Sequence, residues 1–392
     1  MMKRCLIPLF FALSLAPGWA VYAPIPEEEL GQAFTVKIGG GVYHDSNIFG
    51  GATGEISSMV YRLSPSLSYN SSVSPQTFMS ASYDFNYDHV VDRPLNKSLS
   101  SHFLKGRMAH SINPRSEIDV NVSYSMVQNP ESLLAGVPLN TDQSFDSSQV
   151  DFSYSGTLSQ RMGFTFKGRN STFGYDLANL STQLDRNEFL FGVSADYAYA
   201  ETTKLLGEYR YQNVAYVTGG ALKDKDSNYL LAGFDHAPNE KTLISMRAGM
   251  EMRSRSGAPD DDAPYAEITG SYRYTENSFV SAGYVRTIEE NSNVDLYTDV
   301  EVNRFFINVQ HAITAQVFGS MLYNIEPSVL KGRATIAPDQ DEVTQRVGFA
   351  LTYRPARHWT VAGTIDLDIT ESDDANRDLK RDRVGVDVRY TF

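Results

Sequence analysis

Three things are scarce in this 392-residue chain: cysteine, long apolar runs and positive charge. The one cysteine, Cys5, lies ahead of a short apolar run from Leu6 to Leu15. Lys3 and Arg4 precede that run, Pro17 and Gly18 break it, and small residues follow at Ala20 and Ala23. This is the layout of a secretory signal peptide, cleaved after Ala23 or, as second choice, after Ala20. A lipoprotein cysteine would follow the apolar run rather than lead it. Removing 23 of the 392 residues leaves 369 with no thiol, which excludes disulfides, thiolate metal sites and a cysteine nucleophile. The formal charge of −13 becomes −15, because the lost segment carries two basic residues and no acidic ones. A nucleic-acid binder wants a basic face, so that class is excluded. No remaining run reaches the roughly 20 apolar residues of a membrane-spanning helix. Two exported classes are left, a soluble protein and a closed barrel.

Catalytic and metal-binding patterns are scarce as well. His44, His89, His102, His110, His236, His311 and His358 stand singly, with no His-x-x-x-His pair for zinc. No Ser, His and carboxylate set can be singled out, so no catalytic residue, metal or cofactor is expected. Gly39-Gly40-Gly41 sits inside the first strand, away from any helix start, which argues against a phosphate loop. Close approach or curvature at a barrel seam is the better reading.

What the chain does have is period-2 alternation in segments of about ten residues, the mark of strands with two unlike faces. Ile118, Val120, Val122, Tyr124 and Met126 alternate with Glu117, Asp119, Asn121, Ser123 and Ser125. The same pattern covers 148–158, 162–172 and 187–199, and it returns in Val384, Val386, Val388, Tyr390 and Phe392. Segments 228–237 and 299–311 alternate less clearly, and their faces stay open. Eight tight connections take turns with nine long ones rich in Asp, Asn, Gly, Ser and Pro. Seventeen connections predict 18 antiparallel strands, with both termini on the short-turn, periplasmic side. The expected organisation is a cleaved signal peptide over 1–23, a short periplasmic segment over 24–33 containing Glu27 to Glu29, and one barrel over 34–392.

A soluble sandwich also alternates. Here, however, the apolar face is rich in Tyr and Phe near strand ends, as at Tyr61 and Tyr69, Tyr83 and Tyr87, Tyr197 and Tyr199, Tyr209 and Tyr211, and Tyr272 and Tyr274. Such rings suit the two membrane interfaces. Strict short/long alternation is foreign to a sandwich with crossovers. The reading is therefore an all-β, transmembrane outer-membrane barrel in the bacterial outer membrane, surrounded by lipid and lipopolysaccharide. Val388, Tyr390 and the terminal Phe392 resemble the closing strand recognised by the barrel-assembly machinery.

A barrel of this size leaves an aqueous lumen, open or narrowed by loops. Residues opposite the aromatic face are expected to line it: Lys105 and Arg107, Lys167 and Arg169, Glu208 and Arg210, Arg247 and Glu251, Glu267 and Arg273, and Asp366 and Asp368. They either form a wall that passes hydrated solute or pair with one another to stiffen it. Acidic stretches at Asp260 to Asp262, Glu289 and Glu290, and Glu371 to Asp374 read as solvated loop rather than as cation bridges to lipopolysaccharide. The longest loop, 128–147, carries Leu133, Leu134, Ala135, Val137 and Leu139, which suit an inward fold.

After the first strand comes Tyr43-His44-Asp45-Ser46-Asn47-Ile48-Phe49, then a strand with an internal proline, Tyr61 to Tyr69 through Pro65. Tyr43, Asp45, Asn47, Ile48 and Phe49 resemble a Tyr-x-Asp-x-Asn-Ile-Phe element in the second of the families of β-barrel porins. The resemblance is strongest over about residues 34–90, and here Ser46 stands between Asp45 and Asn47. Asp45 and Asn47 are expected to cap a turn, with Ile48 and Phe49 on the rim. Members of that family are often encoded with exopolysaccharide systems. The resemblance thus implies a pore taking part in exopolysaccharide export, as in biofilm formation, with a periplasmic export partner. A general diffusion or sugar-uptake porin and a structural barrel with a blocked lumen stay open.

Overall fold

The structure, a computed structural model, describes residues 33–392 apart from 95, 129–143, 220–222, 256–259, 290–295 and 334–335. The signal peptide, residues 24–32, the apolar stretch of loop 128–147 and Glu290 lie outside the described residues. The alternating segments form 18 strands: β1 (Phe34–Asp45), β2 (Ser58–Ser74), β3 (Thr77–Val90), β4 (Ser98–Asn113), β5 (Ser116–Val127) and β6 (Phe145–Thr157) come first. β7 (Met162–Tyr175), β8 (Arg186–Ala200), β9 (Thr203–Tyr216), β10 (Lys225–Asn239), β11 (Thr242–Arg255) and β12 (Asp261–Thr275) follow. β13 (Ser278–Glu289), β14 (Tyr297–Ala312), β15 (Val317–Gly332), β16 (Gln340–Ala356), β17 (Trp359–Ser372) and β18 (Leu379–Thr391) complete the set. One short helix, α1 (Ala178–Leu184), interrupts the series between β7 and β8.

Every strand pairs antiparallel with its sequence neighbours, and β1 also pairs with β18, so the sheet closes. Closure removes the edges that an open sheet would expose to hydrocarbon. Connections alternate between short turns and long loops, as the sequence pattern predicts. The acidic residues Asp261, Asp262, Glu289 and Glu371 are a correction: they stand in strand ends, not in loops. Asp261, for example, is held by Arg253 at 2.6 Å.

The outer face carries the exposed apolar side chains. Leu104 and Met108 on β4, Phe189 and Phe191 on β8, and Val384, Val386 and Val388 on β18 all face out. Tyrosines bound this belt, and their hydroxyls find partners on the next strand. Tyr209 donates to Asn228 at 2.7 Å, Tyr284 to Asn303 at 2.9 Å, and Tyr87 shares a bond with Ser98 at 2.8 Å. At the short-turn end, Tyr274 meets His311 at 2.9 Å, and Trp359, Tyr390 and Phe392 form an edge-to-face series. An apolar ring with a wet hydroxyl is the chemistry of a membrane interface. A closed, even-stranded antiparallel barrel with such a belt is an outer-membrane protein. Among the described residues no helix is long and apolar enough to cross a membrane.

The two segments without clear alternation resolve here. On β10, Leu230 faces lipid while Tyr229 and Leu231 are buried inside, so both faces are apolar. On β14, Val300 and Val302 pack inward with Leu330 and Tyr297, opposite the outward Phe305 and Ile307. At the seam, Gly39 and Gly41 share the inner face, and a Cβ would run into the Ser64 hydroxyl at the first and the Asp387 carboxylate at the second. Glycine is there because two strands crowd β1.

Candidate functional site

Strand alternation sends the polar residue set to the concave side. All twelve residues expected to line the lumen fall on the face opposite the exposed aliphatics. The contacts confirm the geometry: on a concave wall long side chains converge, so strands that are not neighbours can touch. Lys167 on β7 approaches Glu208 on β9 at 3.7 Å. Arg210 on β9 reaches the Tyr265 hydroxyl on β12 at 3.4 Å.

Most of these charges are engaged with one another. Arg210 binds Glu208 at 2.7 Å, and Tyr265 donates to Glu267 at 2.9 Å. Arg247 stands opposite Glu267 in register but makes its ion pair with Asp235 at 2.8 Å. Glu251 is fully covered and accepts from Ser227 at 2.7 Å, so it braces the wall rather than meeting solute. Asp368 is held between Arg346 and Arg383, both at 2.7 Å, while Asp366 stands opposite Arg383 in register. Arg107 binds Asp119 and Arg169 binds Asp151, each at 2.5 Å. Lys105 and Arg273 are exposed on the same face, Arg273 near the short-turn end of β12. Buried charge is tolerated only when paired, and removing one partner strands the other.

Sequence reasoning missed the partners Asp119, Asp151, Asp235, Arg346 and Arg383, and a further inner group in which Arg304 binds Glu326 at 2.5 Å and Glu289 at 3.0 Å. It also missed Arg62, which chelates Asp88 at 2.6 and 2.7 Å beneath the Tyr43 ring. Alternation alone places all of these on the inner face; what it cannot supply is cross-strand register.

The mouth at the long-loop end is built by the Tyr43-to-Phe49 element. Asp45 ends β1, accepts the Asn47 N–H at 3.0 Å and binds Arg381 of β18. The Asn47 amide donates to the Gly51 carbonyl at 2.8 Å and accepts the Gly51 N–H at 3.1 Å, closing a tight loop. Gly50 sits at φ +64°, where a side chain would be strained. Asp45 and Asn47 therefore cap a turn, as expected. Ile48 and Phe49 pack at the long-loop ends of the strands, on the inner side of the rim. Ile48 is buried with Val60 and Val90, with Tyr43, Phe49, Ile56 and Leu99 packed against them.

A second loop does the same. Helix α1 turns Leu180 and Leu184 onto Tyr175, beside the inward Phe145 and Phe173. Lys223, after β9, ties down the end of α1 through the carbonyls of Thr182 and Gln183 at 3.1 and 3.4 Å. Two inward-packed loops thus narrow the mouth.

The last strand places Val388, Tyr390 and Phe392 on the outer face. Val388 pairs with Gly40 and Tyr390 with Ile38, and the Phe392 N–H donates to the Val36 carbonyl at 2.9 Å.

No protein-family model matches the sequence, and no curated protein matches it. The resemblance over Tyr43 to Phe49 thus rests on those residues alone. Among solved structures, the chain is similar to the outer membrane protein OpdK of Pseudomonas aeruginosa, at 10% identity and a TM-score of 0.47, over 92% of this chain and 99% of that one. It is similar to OccAB4 of Acinetobacter baumannii at 10% identity and a TM-score of 0.48, with the same coverage of 92% and 99%. It is similar to OpdQ of P. aeruginosa at 9% identity and a TM-score of 0.49, over 92% and 97%. Likeness of this degree assigns no cargo to the chain.

Proposed function

We propose that the barrel is an outer-membrane pore that takes part in carrying a polysaccharide outward. The observation that carries the pore reading is the inner wall: largely polar below the apolar clusters at the mouth, with most of its charges mutually paired and none directed at a reacting centre. Such a wall neither fills the barrel with an apolar core nor binds one ion tightly, which suits passage of a hydrated chain. Polysaccharide as the cargo comes from the resemblance over Tyr43, Asp45, Asn47, Ile48 and Phe49. A periplasmic or inner-membrane partner would then dock on the short-turn side.

Deletion of the gene in the producing bacterium tests this. Surface polysaccharide should disappear and polymer should accumulate within the cell, with both restored by the wild-type chain. Unchanged surface polymer in the deletion strain would end the export reading. A second reading, uptake of small sugars, is favoured by the narrowing of the mouth by loop 46–57 and α1. Slowed growth on a limiting sugar with intact surface polymer would support it.

A further inference from the structure

The inner wall is not uniform around the barrel. On β9 to β18 it is dominated by the paired charges described above. On β1 to β7 it is dominated by small neutral hydroxyls and amides. We propose that the cargo is a neutral, hydroxyl-rich glycan and that it moves along this second sector; this rests on the pore reading and narrows it.

The register supplies a continuous row, of which Ser82, Lys105, Ser123 and Gln149 are open to the lumen while Thr35, Ser68 and Ser171 are covered. Thr35 stands opposite Ser68, Ser68 opposite Ser82, and Ser82 opposite Lys105. Lys105 stands opposite Ser123, Ser123 opposite Gln149, and Gln149 opposite Ser171. All seven share the inner face, since each lies in alternation with outward apolar residues such as Leu67, Leu104 and Val122. In the row beside it, Ser66, Ser125 and Ser147 are interspersed with Asp84 and Phe103.

The direction of this row matters. Thr35 is the second residue of β1, at the short-turn end, whereas Ser171 lies near the long-loop end of β7. Barrel strands tilt by about 35–45°, so a row running across them climbs the wall as a helix. Six steps at roughly 4.8 Å cover about 29 Å of wall. At that tilt the climb is roughly 17–20 Å, most of an apolar band about 25 Å tall. The row therefore climbs from the short-turn side towards the long-loop side, with its open members, Ser82 to Gln149, at mid-height.

Its chemistry selects for sugar hydroxyls. A serine or threonine hydroxyl rotates, donates one hydrogen bond and accepts others, so it can follow a chain whose own hydroxyls change orientation from residue to residue. Each exchange of water for sugar changes the free energy little, and many weak sites in sequence let a chain enter and leave. The formal charges that border the row are mostly committed: Arg107 to Asp119, and Arg169 to Asp151. Lys105 is the one cation within the row. A polymer carrying a carboxylate on every unit would gain at Lys105 alone, since the Arg107–Asp119 and Arg169–Asp151 pairs carry no net charge, so the sector as a whole suits an uncharged chain.

The test is blockade of ion current through the purified full-length protein in a planar bilayer. The probes are maltohexaose as neutral glycan and oligogalacturonate as anionic glycan. Wild type should be blocked by maltohexaose more strongly than by oligogalacturonate. Ser66→Val, Ser82→Val and Ser123→Val together should weaken the maltohexaose block at least fivefold while open-channel current stays within twofold. Ser123→Val alone should weaken it by a smaller factor, which keeps the test available if the triple variant folds poorly. Thr344→Val with Thr370→Val, a hydroxyl pair on the opposite sector, should leave the block unchanged. Absence of current from folded wild type would overturn the pore reading itself. Current with no maltohexaose block, a stronger oligogalacturonate block, or equal block in the serine variants would overturn the neutral track while the pore stands.

Discussion

Adjacent residues on one strand meet opposite solvents here. Phe166 faces out, stacked on Tyr154 with rings 6.4 Å apart, and Lys167 faces in, towards Glu208. Phe166→Arg should therefore destabilise the inserted barrel by about 2–4 kcal/mol, the cost of a guanidinium on the lipid face near the midplane. Lys167→Phe should leave insertion far less affected, since it removes one charge from a polar wall in which Arg210 still holds Glu208. Urea midpoints of the two variants refolded into lipid vesicles would decide it, and equal losses would contradict the face assignment. Residue identity was legible in the sequence to this depth: which face, and therefore which solvent. Partners were not. Arg107 stands directly opposite Asn121, yet its carboxylate is the diagonal Asp119. Counting back from the turn fails as well, because the Asn113–Ser116 pair is followed by a one-residue shift to Ser111–Glu117. Similar shifts occur beside the β2–β3, β8–β9, β10–β11, β12–β13 and β16–β17 turns. Each is a bulge that no local pattern announces.

At the scale of elements, two segments carry more than pairing. Strand β18 closes the barrel against β1, with Phe392 bonded to Val36 and exposed on the outer wall at the short-turn end. We propose that the outward row of Val388, Tyr390 and Phe392 is what the assembly machinery recognises before closure. Deleting Phe392 should lower the amount of heat-modifiable, folded protein in the outer membrane severalfold. Equal amounts with and without Phe392 would remove it from that role. Loop 46–57 is the other segment. Its turn chemistry was readable from Asp45 and Asn47, whereas its inward fold was not, because a short apolar pair such as Ile48-Phe49 reads equally well on the outer or the inner side of the rim. Only the tertiary neighbours Val60, Val90 and Leu99 decide it. The blurred alternation of β10 and β14 has a related cause. Both strands bury apolar residues inside the barrel near the mouth, and a two-faced apolar strand loses its period.

For the molecule as a whole, alternation and the short/long rhythm of connections were sufficient to give 18 strands and closure, since these are set by local signals repeated many times. What the lumen carries is not local. It depends on how the inner faces of β1 to β7 and β9 to β18 combine around one axis, and that emerges only when register and tilt are known. The account stands or falls on whether this wall encloses a water-filled path. The most direct measurement is single-channel current through the purified, heat-modifiable protein in a planar bilayer under potassium chloride. The account predicts discrete steps of current that scale with bulk salt conductivity, lowered but not abolished by the inward loops. Folded protein that inserts and gives no steps at any voltage or salt concentration would contradict it.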